Sequence, residues 1–287
     1  MGCALVSTVV GATVLGSESK ETRAAARGVN QTVAASGLKF ALVGATSRTA
    51  DQLIPQALVL GHEVIALARR PHAVTFEHPR LKVVKSDVYD QASIEAALTG
   101  EEVVVSVYGP RTDPENEIPV SDLMTQGTKN IMAAMRKKGN KKLFATSSTS
   151  VQRLKSLPDK KPENLPLTQM WMWNQRGLYR DMREMEDVVH AGGLDSIVLR
   201  PCQLLEGPAR GDVQLSVDED APSRRLITYA DFATFIAGQL ISDAYSGQTV
   251  GVYGGTAIEW GTTIDFEAER QKLREKRLEV EADLRGE

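Results

Sequence analysis

What most constrains this chain is an apolar strand that runs straight into a small-residue turn and then into a helix. Residues 38 to 50 read Leu-Lys-Phe-Ala-Leu-Val-Gly-Ala-Thr-Ser-Arg-Thr-Ala. A helix that starts from such a turn presents unpaired backbone N–H groups and the positive end of its dipole, so the turn is suited to an anion, a nucleotide phosphate above all. Gly44 stands where the tight bend is needed. Ser47 and Ala50 stand where the pattern G-x-G-x-x-G carries its second and third glycines. Ala50 adds one methyl where the helix packs on the strand. Ser47 puts a side chain on the phosphate path, although its hydroxyl is itself a donor to an anion.

From residue 38 onward, short β-branched runs alternate with longer helical patterns, which is the rhythm of βαβ units and a parallel sheet. Strands are expected at Lys39 to Val43, His62 to Ala68, Leu81 to Lys85, Glu102 to Val107, Lys142 to Ala145 and Ser196 to Leu199, with a last one at Thr249 to Tyr253. Between them, helices are expected over Thr49 to Leu60 with Leu53, Ala57 and Leu60 inward, over Ser93 to Leu98 behind a Ser cap, and over Ser121 to Lys138. A helix from about Trp173 to Ala191 ends on Gly192-Gly193, the left-handed stop that helix C-termini favour, and another spans Tyr229 to Ile241. The fold class is α/β: a doubly wound, mostly parallel sheet with helices on both faces, over residues 38–257. Residues 1–37 read as an arm or targeting segment and residues 258–287 as a charged tail. The tail carries Phe266, Leu273 and Val280 seven apart, either a solvated helix or a short helix that docks a protein partner.

Composition narrows the function classes. A net charge of −3 over 287 residues argues against nucleic acid as a partner. Cys3 and Cys202 are too few and too distant for a disulfide framework, and His62, His72, His78 and His190 lack metal-ligand spacing, so no metal is expected. No apolar run approaches the ~20 residues of a membrane span. Met1-Gly2-Cys3 invites a lipidation reading that Val6 opposes, and the Ala- and Ser-rich stretch to Gly37 has the Arg content of a transit peptide but also Glu18 and Glu21. The location expected is cytoplasmic, with organelle targeting by the N-terminal segment as the alternative.

If the turn holds a pyrophosphate, the tip of the second strand meets the adenosine ribose about 20 residues later. An acid there would select NAD; the chain has Ala68-Arg69-Arg70, and arginine pairs with a 2′-phosphate. NADP(H) is therefore the expected cofactor, the alternative being that both arginines are solvated at a strand end. Ligands of open parallel sheets lie outside the carboxyl ends of the strands. Two further such ends are Ser86-Asp87-Val88 and Tyr108-Gly109-Pro110-Arg111. Asp87 is a candidate acceptor for the adenine amino group and Gly109 lets the backbone pass close to the cofactor; both also read as ordinary turns.

The runs Val-Gly-Ala-Thr-Ser-Arg-Thr-Ala, Ala-Leu-Ala-Arg, Ser-Asp-Val, Tyr-Gly-Pro-Arg and Ala-Thr-Ser-Ser resemble the atypical short-chain dehydrogenase/reductases of the NmrA-like group. Within it the similarity is greatest to the biliverdin-IXβ reductase/flavin reductase proteins. It extends through residues 127–135, 192–201 and 221–233. The resemblance implies a Rossmann fold binding NADP, with Thr46, Ser47, Arg48 and Thr49 around the pyrophosphate and Arg69 at the 2′-phosphate. It also implies Asp87 and Val88 near adenine, and Gly109, Pro110 and Arg111 beside the nicotinamide half. Ser147 and Ser148 then face the hydride, Ser148 bordering the substrate. The histidine that the flavin and biliverdin reductases carry on the following helix is replaced, the matching positions being Met182 and Glu186.

Typical short-chain dehydrogenases use Tyr-x-x-x-Lys; this chain has Tyr179 and Arg183 at that spacing. Arginine keeps the charge but not the compact ammonium, and the alternative is an exposed helix with a surface tyrosine. Flavin or tetrapyrrole reduction needs no side-chain acid, because hydride passes directly and protons come from solvent. Met170, Trp171, Met172 and Trp173 are either a stacking surface for a planar substrate or a loop pinned on the core. The expected function is an NADP(H)-dependent reductase of a flavin-like or other conjugated planar small molecule. The rival is a catalytically degenerate cofactor-binding sensor or structural subunit of a protein complex.

Overall fold

Strand β1 (Lys39–Val43) lies inside the sheet, hydrogen-bonded to β2 (Glu63–Ala68) on one side and β4 (Val103–Ser106) on the other. The computed structural model describes residues 37–110, 121–157, 172–222 and 225–255. The remaining strands are β3 (Leu81–Lys85), β5 (Lys142–Thr146), β6 (Asp195–Pro201), β7 (Gln203–Leu205), β8 (Val213–Val217), β9 (Leu226–Thr228) and β10 (Thr249–Gly254). The eight-stranded sheet runs β3-β2-β1-β4-β5-β6-β10-β8, and only β8 is antiparallel to its neighbour; β7 and β9 form a separate parallel pair.

Both faces are covered, which is why the strands read as continuous apolar runs. Side chains alternate across a strand, so Phe40 and Leu42 enter one core while Ala41 and Val43 enter the other. The first face is closed by α1 (Arg48–Val59) and α5 (Tyr229–Gln239) through Leu53, Ile54, Phe232 and Ile236. The second is closed by α2 (Gln91–Ala97), α3 (Leu123–Lys138) and α4 (Arg176–Ala191) through Ile94, Ile131, Met135 and Met185. This is the doubly wound α/β arrangement expected.

Local departures have local causes. Leu60 is 40% exposed because α1 ends before it, and Ile54 and Leu58 complete the inward stripe beside Leu53 and Ala57. Helix α2 is capped by Asp90, whose carboxylate accepts from Ser93 N; Ser93 is inside the helix and its hydroxyl donates to Asp87 O and Asp90 O. Helix α4 starts at Arg176, and its C-cap Gly192 is right-handed, the left-handed residue being Gly193 at φ 67°. Residues 1–36 and 256–287, which include all of the expected arm but Gly37 and the whole of the expected charged tail, lie outside the described residues.

Two buried carboxylates tie elements together. Asp181 on α4 accepts from Met124 N (2.8 Å) and Thr125 N (2.9 Å), capping α3 from a neighbouring helix in place of Asp122, which makes no side-chain cap. Glu102, 2% exposed, accepts from Thr99 N, Gly100 N (2.9 Å), the Thr99 hydroxyl and Asn140 Nδ2 (3.0 Å), joining the entry to β4 with the turn before β5. Burial opposes its ionisation, but these donors outweigh it and hold the carboxyl down to about 2.

A lowered folded-state pKa contributes stability that is complete above the unfolded carboxyl's value and is lost as pH falls through the folded one. For Glu102 that window runs from 4.5 down to about 2. The difference amounts to about 3 kcal/mol. Glu102→Gln is expected to lose about 2 to 3 kcal/mol at neutral pH and to flatten the fall in stability across that window. Urea unfolding at a series of pH values measures both, and an acid limb as steep as the wild type's refutes the assignment.

Candidate cofactor site

The strand order places a topological switch point beside β1. The chain leaves β1 for β2 and β3 on one side, then crosses to β4 on the other, opening a crevice at the carboxyl edge. Gly44 turns there with φ 92°, and a Cβ at this position would lie 2.7 Å from Tyr108 N and 2.8 Å from Tyr108 Cα. Glycine is required on both counts. The turn is pinned by Gly44 N and Ala45 N donating to Leu67 O (3.3 and 3.2 Å) and by Ser47 N donating to Gly44 O (2.9 Å).

Ser47 has a role that the glycine pattern hides. It is the N-cap of α1, its Oγ accepting from Ala50 N at 3.2 Å, a contact that does not use its own proton. The next N–H groups, of Arg48 and Thr49, belong to the first helical turn and have no intrahelical acceptor. Thr46 and Arg48 are exposed at this turn, whereas Thr49 is buried.

The other strand ends lie along the same edge. Arg69 and Arg70 are exposed immediately after β2. Ser86 N donates to Ala68 O (3.1 Å), drawing the end of β3 against them; Asp87 accepts from Tyr89 N (3.0 Å) and Val88 O from Asn130 Nδ2 (2.8 Å). After β4, the Tyr108 hydroxyl sits 3.2 Å from both Met124 O and Thr128 Oγ1, in space left by Gly127, and burial raises its pKa. Gly109 is exposed and a Cβ there would meet nothing within 4 Å; Pro110 is half-buried, and Arg111 lies outside the described residues.

At the end of β5, Ser147 is buried and donates to Glu186 Oε1 at 2.6 Å. Glu186 is clamped by Arg200, with Nε at 2.8 Å and the terminal nitrogen at 2.6 Å, a bidentate pair sunk between α4 and β6. Sequence reasoning missed this network; the available signal was an arginine inside the apolar run of β6. Ser148 is half-buried and caps the 3₁₀ helix Thr149–Ser156, accepting from Ser150 N at 3.1 Å.

Tyr179 is 4% exposed, packed with Val151 and Met172 rather than displayed on a surface, and burial pushes its hydroxyl above the usual tyrosine value. Arg183 is turned to the carbonyl of Val151 at 3.4 Å. Trp173 is buried and carries the Arg176 guanidinium 4.3 Å from its ring; Met170 and Trp171 lie outside the described residues. Among the described residues no group of His, Cys, Asp and Glu could hold a metal ion, and no helix is long and apolar enough to cross a membrane.

A family model described as NAD(P)H-binding matches residues 44–243, from the turn glycine to the end of the last helix region. The chain belongs to this NAD(P)H-binding family. Its architecture is that of Rossmann-fold NAD(P)-binding proteins. A curated relative, tetraketide alpha-pyrone reductase 1 of Arabidopsis thaliana, is 31% identical over 131 residues, which are 41% of this chain and 40% of the relative. The matched segment thus spans about two-fifths of that protein. The solved structure of ChuY, an anaerobilin reductase from Escherichia coli O157:H7, superposes with a TM-score of 0.61 at 18% identity, covering 77% of this chain and 99% of that one. A candidate NADH-flavin reductase from Streptococcus pneumoniae TIGR4 gives 0.59 at 17% identity, covering 76% and 100%.

The cofactor of an NAD(P)H-binding family is a nicotinamide dinucleotide, and the residues present fit one: two N–H groups open at the α1 N-terminus, a backbone close-packed at Gly44 and open space beside Gly109. Gly44→Ala is expected to lose about 2 to 4 kcal/mol of stability, combining left-handed strain with overpacking, and with it dinucleotide affinity. Denaturant unfolding and a fluorescence titration check the two effects, and a Gly44→Ala variant of unchanged stability refutes the close packing.

Proposed function

We propose that the protein is an NADP(H)-dependent reductase that passes hydride directly to a flavin-like or other conjugated planar small molecule. The observation that carries this reading is the alignment, along one sheet edge about the switch point, of an open helix N-terminus, an exposed arginine at the β2 tip, a carboxylate after β3 and an unobstructed backbone after β4. In this reading Thr46, Ser47, Arg48 and Thr49 hold the pyrophosphate through N–H and hydroxyl groups at the positive end of α1. Arg69 pairs with the 2′-phosphate, Asp87 and Val88 border adenine, and Gly109 and Pro110 lie along the nicotinamide half. The dinucleotide, when bound, supplies the hydride.

At the reacting end the chain orients rather than titrates. Ser148 borders the substrate, and Ser147, held by Glu186, fixes the β5 edge against which the ring packs. A reductase of small molecules is supported by what the relatives are named for: an alpha-pyrone reductase, an anaerobilin reductase and a candidate NADH-flavin reductase. Burial weakens Tyr179 as a proton donor, which favours protons taken from solvent. The same burial, with Ser147 committed to Glu186, also favours the second reading, a sensor or structural subunit that binds cofactor without turnover and docks a partner through residues 258–287.

Arg69→Ala is expected to weaken NADPH binding about tenfold or more while changing NADH binding less than about twofold, since only one ligand carries the phosphate. Tryptophan-fluorescence titration with both dinucleotides tests it, and equal losses refute the 2′-phosphate role. Steady-state NADPH oxidation with flavin separates the reductase from the sensor. In that assay Tyr179→Phe should keep its turnover number within about threefold, whereas a true general acid would cost about a hundredfold or more.

A further inference from the structure

Arg48, the first residue of α1, reaches away from its own helix to two groups far along the chain. Its terminal nitrogen lies 3.4 Å from Glu206 Oε1, and its guanidinium carbon 4.9 Å from the centre of the Tyr229 ring. The two partners arrive together because β7 and β9 are paired with Leu205 opposite Thr228, so Glu206 and Tyr229 are the next residues out of that pair. Tyr229 also opens α5, whose packing on α1 sets its ring beside Arg48. The Arg48 and Glu206 side chains are 55% and 24% exposed, so neither is a core element.

The two contacts act in opposite senses. The Tyr229 ring is a shelf that holds the guanidinium near the α1 N-terminus without consuming its N–H donors. Glu206 is an anion presented to the same guanidinium, a single contact near the long limit of a hydrogen bond, which leaves most of the five donors of the arginine uncommitted. A pyrophosphate at the turn and the Glu206 carboxylate would draw on the same guanidinium.

We propose that Glu206 is an affinity-setting residue that competes with the dinucleotide pyrophosphate for Arg48, while Tyr229 keeps Arg48 within reach of the turn. This rests on dinucleotide binding at the Gly44 turn and adds to it a residue from the β7–β9 lobe. Because the pyrophosphate is common to both dinucleotides, the effect is the same for NADPH and NADH, unlike that of Arg69. It also makes cofactor binding release the Glu206 carboxylate at the edge of that lobe.

The test is a fluorescence titration of the full chain and of E206Q, R48M, E206Q/R48M and Y229L with NADPH and with NADH, at low and at high salt. E206Q is expected to tighten both ligands by the same factor, about twofold to fivefold, with the gain shrinking at high salt. R48M should weaken both equally, Y229L should weaken both less, and in the R48M background Glu206→Gln should change nothing. Thermal unfolding checks that each variant stays folded. An E206Q affinity equal to or weaker than the wild type's, or a gain that persists without Arg48, overturns the proposal while leaving the cofactor site intact. A wild-type chain that binds neither dinucleotide overturns the cofactor reading and this proposal with it.

Discussion

The contact on which the site depends is the seating of the Gly44 turn against the backbone of Tyr108. It brings the end of β1 and the end of β4 close enough that a single methyl would not fit, at the point where the sheet order reverses. From that contact follows the start of α1, whose first-turn N–H groups of Arg48 and Thr49 have no intrahelical acceptor. The Tyr108 ring is in turn held by α3, whose Gly127 gives its hydroxyl room. The turn proposed to hold a phosphate is thus supported from beneath by two strands and from the side by a helix of the opposite face.

Buried carboxylates do the long-range tying, each satisfied in a different way. Glu102 takes backbone and amide donors at the amino edge of the sheet, Asp181 caps α3 from α4, and Asp231 accepts from Arg210 N and Gly211 N while sharing a cap with Thr228. Glu186 alone takes a guanidinium and a serine together. Leaving a buried charge without such partners costs several kcal/mol, so each of these groups fixes the relative placement of the elements it bridges. Asp181 and Glu186 sit on one helix, α4, whose carboxylates therefore position both α3 and the carboxyl end of β5. Tyr179 and Arg183 share that helix, and with the first packed in a side cluster and the second on a carbonyl, the helix reads as a brace for the site.

The altered turn illustrates how a degenerate motif keeps its physics. The glycine pattern treats Ser47 as an obstruction, but an N-cap serine accepts from the third N–H of the helix and its hydroxyl proton is not used in that cap, so under the proposed reading the turn gains a donor where it loses a glycine. Ala50, fully buried, adds its methyl to the core between α1 and β1.

The sequence by itself determined the fold class and most strand positions, and it singled out the residues proposed here for the cofactor, because each reading rests on short-range chemistry: β-branched runs buried on both faces, a glycine at a bend, arginines at a strand tip. β1 and β3 span the runs Lys39–Val43 and Leu81–Lys85 that the sequence marks as strands. Only the tertiary structure decided which long-range partners the polar groups take. Asp90 caps α2 where Ser93 was the local candidate, Glu186 and Arg200 lock Ser147, and Arg48 meets Glu206 and Tyr229 across more than half the chain. Such pairings leave no periodic trace in the sequence, since they join residues whose separation is set by how the layers stack rather than by the repeat of any helix or strand.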